Sequence, residues 1–210
     1  MVRDWRAAAL IYALLGVVFV PLSEWLATHP FGFGGLIFWQ MMFVLPLVVA
    51  LMSSPVLLIA MLFKSSRRRA CILVVFALAG FVGFFGGERL GHRVRMSGMR
   101  TFATRSEAVV AAIRRYEQDH GEPPSDLESL VPAYLSTAPT TAMAAYPDYR
   151  YHSGVEASEK FYGNTWALSV FTPRPVINFD MMVYLPNQNY PERAYGGWLE
   201  RVGSWAYVHE

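Results

Sequence analysis

Charged residues avoid three stretches of this chain, and the pattern changes abruptly after the third. The stretches are 7–26, which begins "AAALIYALLGVVFVPL", 35–63, "GLIFWQMMFVLPLVVALMSSPVLLIAMLF", and 70–87, "ACILVVFALAGFVGFFGG". A helix needs roughly 17–25 apolar residues to cross a bilayer, so each stretch predicts one transmembrane helix. The second is longer than needed, but its halves are too short to span separately. It predicts one tilted helix, kinked near Pro46 or Pro55. The first has the Arg-flanked start of a signal peptide, yet no small-x-small cleavage site follows it cleanly, so it reads as a retained span. Trp5, Trp25 and Trp39 lie near span ends, where amphipathic rings favour the headgroup region.

After residue 87 the period becomes helical. Leu90, Val94, Phe102, Val109, Ile113 and Tyr116 recur with Arg and Glu between them, predicting an amphipathic helix over 88–119. No proline separates it from the third span, so the two should form one near-continuous helix, with any bend at Gly86-Gly87. Gly121 is placed to stop the helix, and Pro123 and Pro124 forbid its continuation. Ser125 and Glu128 have the spacing of a capping box, and Pro132 ends the short helix that would follow. Tyr116, Gly121, Pro123, Pro124, Ser125, Glu128 and Pro132 thus define a helix-break-helix corner. Beyond it the period becomes two. "DYRYHS", "TWALSVF", "FDMMVYLP" and "SWAYVHE" read as short strands. They are separated by turn residues at Ser153-Gly154, Gly163-Asn164, Pro173, Pro175 and "PNQNYPERAYGG". The expected fold is an α+β membrane protein. A membrane region, 1–87, carries three transmembrane helices. A domain, 88–210, lays a long helix on a small antiparallel sheet.

Composition agrees. Hydrophobic residues make up 54% of the 210 residues and charged residues 16%, against about 25% charged in soluble domains. The net charge of +2 gives no argument for a nucleic-acid partner. The placement of the charges matters more. Arg3, Arg6, Lys64, Arg67, Arg68 and Arg69 flank the spans, whereas the loop 23–34 has no Lys or Arg. Positive residues stay cytoplasmic, which puts the N-terminus and the "KSSRRR" loop inside and the C-terminal domain outside. Arg89, Arg93, Arg95, Arg100 and Arg105 argue back, but long translocated domains obey the rule poorly. The arginine triplet also suits anionic lipid, although setting topology is the simpler role. Cys71 is the only cysteine, so no intrachain disulfide can form.

Chemistry is sparse. No nucleophile elbow, zinc-protease, phosphate-loop or CxxC motif is present. His29, His92, His120, His152 and His209 show no metal-ligand spacing. His120 beside Asp119 and Glu122 reads as a solvated helix end. Asn178, Asp180, Asn187, Asn189 and Glu192 are rich in oxygen ligands, but match no calcium loop and suit ordinary turns. Ionisable residues inside spans mark transport paths. Here Gln40 is the only strongly polar side chain well inside, and Glu24 stands at an edge. No catalytic residue, metal or cofactor is expected. One membrane pattern stands out: Ala79, Gly83, Gly87 and Gly91 fall on one helical face, where small residues let two helices approach closely. The partner is the first or second span, or a second copy in a homo-oligomer.

The series "AVVAAIRRYEQDHGEPPSDLESLVPAYLSTAP", followed by "YRYH" and "WALSV", resembles the globular part of type II secretion pseudopilins and related type IV pilin-like domains. In that family a long helix ends in a tyrosine and a glycine-proline break, and a short helix then leads to an antiparallel sheet. The matching positions are Ile113, Tyr116, Gly121, Pro123 or Pro124, Leu127, Leu130, Val131, Pro132, Tyr134, Leu135 and Pro139, within about a third of the chain. A pseudopilin has one span with a processing site before it. This chain has three and no such site, so processing and polymerisation are not implied. The resemblance implies a bacterial inner-membrane protein with a periplasmic pilin-like domain. The expected function is a membrane-anchored interaction module, touching membrane lipid and another membrane or periplasmic protein. The alternative is a membrane-anchored ligand-binding sensor domain.

Overall fold

A computed structural model describes residues 4–174 and 178–210, so the expectations resting on Arg3 and Pro175 fall outside it. The chain divides into two compact units. One comprises the residues up to Ala27 with Gly35–Met96; the other comprises Thr28–Gly34 with Ser97–Glu210. A short segment after the first helix thus groups with the later residues.

In the first unit, α1 is Trp5–Thr28, a 3₁₀ helix covers Gly34–Gln40, α2 is Met41–Met52, α3 is Ser54–Leu62 and α4 begins at Lys64 and runs to Arg105. Among the described residues, two helical segments are long and apolar enough to cross a membrane: Trp5–Thr28, and Lys64–His120 counted through its break. A third is available if Phe38–Met52 and Ser54–Leu62, bent by 66°, count as one span. The expected single tilted helix is thus broken at Ser53. Pro55 sits in the first turn of α3, where its missing N–H leaves no hydrogen bond unmade. Pro46 stays inside α2 without breaking it. "KSSRRR" is no loop: it forms the first turns of α4, and Phe63 alone separates α3 from α4. The stretch 23–34 is not all loop either, because α1 continues to Thr28.

The α4 helix passes through Gly86-Gly87 without a break. The interruption comes at Ser106, just before α5, Glu107–His120. Backbone bonds from Ser106 to Phe102 (2.9 Å) and from Val110 to Ser106 (3.0 Å) keep the ladder nearly continuous there. The Ser106 hydroxyl donates to the Phe102 carbonyl and pairs with the Tyr149 hydroxyl at 2.7 Å. A serine bonded back to its own helix in this way loosens the turn.

In the second unit, α5 stops as expected. Gly121 has φ +78° and its N–H bonds the Glu117 carbonyl at 2.8 Å. A Cβ at Gly121 would meet no atom within 4 Å, so the cost of a side chain here is purely conformational. Gly121→Val should lower the melting temperature of the purified chain by a few degrees, reflecting roughly 1–2 kcal/mol, and Gly121→Asn by less. An unchanged melting temperature for the valine variant would mean that this left-handed residue does not set the corner. The corner itself packs Tyr116 on His120 (4.0 Å between ring centres) and Tyr116 near Tyr134 (5.5 Å). Pro124 accepts a hydrogen bond from the Tyr151 hydroxyl at 2.8 Å. The capping box differs from expectation. Asp126, one residue before the N-cap Leu127, accepts from the Ser129 N–H at 2.8 Å, and Ser125 donates to Asp126. Only one 3₁₀ turn follows, Glu128–Leu130.

The sheet has six strands, all antiparallel, in the order β1-β2-β3-β6-β5-β4. These are β1 Arg150–Ser153, β2 Trp166–Phe171, β3 Met181–Tyr184, β4 Arg193–Ala194, β5 Gly197–Val202 and β6 Trp205–His209, with helix α6, Gly154–Lys160, after β1. The sequence pattern had suggested four strands. It took β4 for turn and overlooked β5 and α6. Both sheet faces are covered. Phe102 of α4 meets Trp205 edge-on at 4.9 Å, and the α5 side chain Glu117 accepts from the Trp166 indole at 3.1 Å. On the opposite face Ala167, Val183, Leu185, Ala206 and Val208 form a core with Phe161, against which Tyr190 and Tyr195 pack. β2 is therefore buried almost throughout instead of alternating.

Candidate functional site

The clearest concentration of chemistry lies in the first unit, where three helical elements bring polar side chains into an apolar interior. Glu24, near the end of α1, faces Arg95 of α4 with Oε2 3.0 Å from Nη1. Both side chains are fully buried. Gln40, the last residue of the 3₁₀ helix, donates from Nε2 to the Ser23 hydroxyl at 2.8 Å and to Glu24 Oε1 at 3.3 Å. Ser23 donates in turn to the Val20 carbonyl at 2.8 Å. Ser23, Glu24, Gln40 and Arg95 are each no more than 2% exposed.

A buried charge is tolerated only when paired and hydrogen-bonded. Here both carboxylate oxygens of Glu24 are engaged, one by the guanidinium and one by the amide. The arrangement suits holding helices together more than passing a proton along. Buried ionisable residues on apolar helices are a default functional-site hypothesis, and this group is the strongest such instance among the described residues. Sequence reading missed it. By sequence Glu24 stands at the edge of the first span and Arg95 among the arginines that follow the third, and neither shows a partner within its own stretch. The available signal was Gln40, the one strongly polar side chain well inside a span.

The glycine stripe positions the pair. A Cβ on Gly83 would lie 2.6 Å from the Ala13 carbonyl oxygen, one on Gly87 2.6 Å from that of Gly16, and one on Gly91 3.0 Å from Val20 Cγ1. Gly16 completes the seam from α1, where a Cβ would lie 2.8 Å from the Gly83 carbonyl carbon. This is the close backbone approach that small residues permit. Ala79 is half-buried. Gly80, which the stripe had left out, lies against Tyr12 and the Phe43 carbonyl. Gly83, Gly87 and Gly91 pack against α1 of the same chain.

The contacts also give direction. Ala13 meets Gly83, Val20 meets Gly87 and Gly91, and Glu24 meets Gly91 and Arg95, so α1 and α4 run parallel. The second element runs against α1. Gln40 meets Ser23 and Glu24, whereas Phe43 stacks near Phe19 (5.8 Å) and Tyr12 (5.3 Å). The Tyr12 hydroxyl donates to the Met42 carbonyl at 2.6 Å.

The other candidates resolve into structural roles. His120 Nδ1 lies 3.0 Å from the Tyr116 carbonyl, and Asp119 accepts from Tyr134. Asp180 accepts from the Tyr207 hydroxyl at 2.6 Å and from the Glu210 N–H at 3.0 Å. Asn187 and Asn189 bond Asn164. The oxygen-rich segment thus spends its groups on protein partners at two separate places, and no group of three metal-ligating side chains occurs among the described residues. Tyr190 donates to the Ser204 carbonyl at 2.8 Å, and burial pushes its hydroxyl pKa up to about 12. No family model, curated protein or solved structure matches the chain.

Proposed function

We propose that this chain is a three-span membrane protein that carries its α+β domain on the side opposite its N-terminus, and that the domain is an interaction module. The observation that supports this best is the parallel packing of α1 and α4. Two parallel spans require the chain between them to return across the bilayer. A re-entrant excursion by α2 and α3 would bring it back to the wrong side. The broken pair must then act as one full crossing, and the antiparallel contacts of Gln40 and Phe43 with α1 agree. Arg3, Arg6, Lys64, Arg67, Arg68 and Arg69 then share one face of the membrane, the cytoplasmic one by the positive-inside rule. The domain lies across the inner membrane. The pilin-like reading of that domain rests on the corner at Gly121 and on the helix-on-sheet arrangement.

The interaction role draws on apolar side chains that the domain leaves in solvent: Val155 (74% exposed), Phe179 (53%) and Tyr162 (45%). A photo-crosslinking amino acid placed at Tyr162 or Phe179 in cells should give a discrete protein adduct from at least one position. Crosslinks to lipid or to nothing at both would contradict an interaction module.

A further inference from the structure

The end of the sheet where β4, β5 and β6 meet carries an open cavity of about 540 Å³. Arg193, Gly196, Gly197, Trp198, His209 and Glu210 line it. Its centre is Trp198, a large aromatic residue left 52% exposed. The ring is nonetheless held rigidly. It stacks on His209, its partner across the strand pair, at 3.7 Å between ring centres and 9° between planes. His209 is itself fixed by Glu200, with Nε2 3.0 Å from Oε2. An aromatic plate supported on one side and about half exposed loses little entropy when something lies on it.

The polar groups around the plate restrict what that something is. Arg193 pairs with Trp198 across β4 and β5 and is exposed. The carboxylate of Glu210 stands beside Gly196, 3.0 Å from where a Cβ there would be. Gly196 has φ +87°, and Tyr195 before it +54°, so the two make the tight turn joining β4 to β5. A side chain at Gly196 would crowd the carboxylate, and glycine keeps that floor clear. A phosphate or other anion would meet Glu210, and a cation would meet Arg193. A neutral ligand with neighbouring hydroxyls uses both, donating to the carboxylate and accepting from the guanidinium. Its C–H face would rest on the negative face of the indole.

We propose that this cavity is a saccharide-binding site, with Trp198 as the stacking platform and Arg193 and Glu210 as the hydroxyl-reading pair. The site lies wholly within the second unit, so the proposal holds on whichever side of the membrane that unit stands. It also adds a small-ligand role to a domain read above as a protein-contact module.

The test uses the full chain in lipid nanodiscs, avoiding maltoside detergents whose headgroups are themselves sugars. Saturation-transfer difference NMR is recorded with maltotetraose, cellotetraose and chitotetraose at millimolar concentration. At least one should receive transfer at its ring C–H protons. Trp198→Ala should weaken that binding roughly tenfold or more, and Trp198→Phe should retain most of it. Because Trp198→Ala also removes a cross-strand pair, Arg193→Ala serves as a second variant outside the core and should weaken binding as well. Absence of transfer for all three sugars would overturn the proposal. So would transfer that survives unchanged in both Trp198→Ala and Arg193→Ala.

Discussion

Arg95→Ala should strongly destabilise the first unit and sharply reduce the folded protein recovered from membranes. The substitution removes a fully buried guanidinium from within 3.0 Å of a fully buried carboxylate. Glu24 keeps the Gln40 amide as a neutral donor at 3.3 Å. Breaking a buried ion pair by removing one member costs about 3–5 kcal/mol, a large share of the stability of an ordinary domain. The mirror change, Glu24→Ala, should be comparably severe because it removes a carboxylate from beside a fully buried guanidinium. Replacing both at once with apolar residues of similar size, Glu24→Leu with Arg95→Met, should recover most of the loss, since such pairs are often dispensable for stability itself. Thermal unfolding in nanodiscs reads all three. A single Arg95→Ala that unfolds like the parent would mean that the pair does not hold the helices.

Gly83→Leu should separate α1 from α4 while leaving the domain folded. A Cβ at Gly83 has no space, being 2.6 Å from the Ala13 carbonyl oxygen and 3.1 Å from its Cα. Both neighbours are backbone and neither can swing away. Overpacking a tight contact costs typically 1–3 kcal/mol, and more where backbones must part. A direct readout follows from Gly86, whose Cβ would sit 3.3 Å from Val17 Cγ2. With Cys71 replaced by serine, a Val17→Cys, Gly86→Cys pair should form a disulfide on mild oxidation in membranes, since a sulfur in the place of Val17 Cγ2 would stand close to the new Cβ. Adding Gly83→Leu should suppress that crosslink, and far-ultraviolet circular dichroism should still report the sheet. Efficient crosslinking in the presence of the leucine would contradict the seam.

The two ends of the account were not equally legible. The apolar runs could be read directly, because bilayer thickness imposes a length that any sequence window detects. So could the left-handed stop at Gly121, which is local chemistry, and the 88–119 amphipathic helix, whose period is local too. The buried cluster was hidden for the opposite reason. Glu24 and Arg95 stand 71 residues apart, and only tertiary packing turns two isolated charges into a pair. The same cause explains the straight passage through Gly86-Gly87. Glycine weakens an isolated helix, but here Gly83, Gly87 and Gly91 are held against α1, and packing outweighs propensity. In the sheet, β4 and β5 were lost because "PERAYGGWLERV" mixes turn residues with charges, and an edge strand of two residues leaves almost no periodic signal. The capping box failed more simply. Asp126 competes with Ser125 for the same end and is the stronger acceptor once ionised.

The central claim is an odd number of crossings, and a pair of terminal reporters tests it most directly. A reporter active only in the cytoplasm, joined before Met1, and one active only outside it, joined after Glu210, should both give signal from intact protein. Three crossings, with α2 and α3 acting as one, place the two ends on opposite sides. A cytoplasmic signal at both ends would make the number of crossings even and turn the broken pair into a re-entrant loop. The parallel clamp of α1 on α4 would then be wrong.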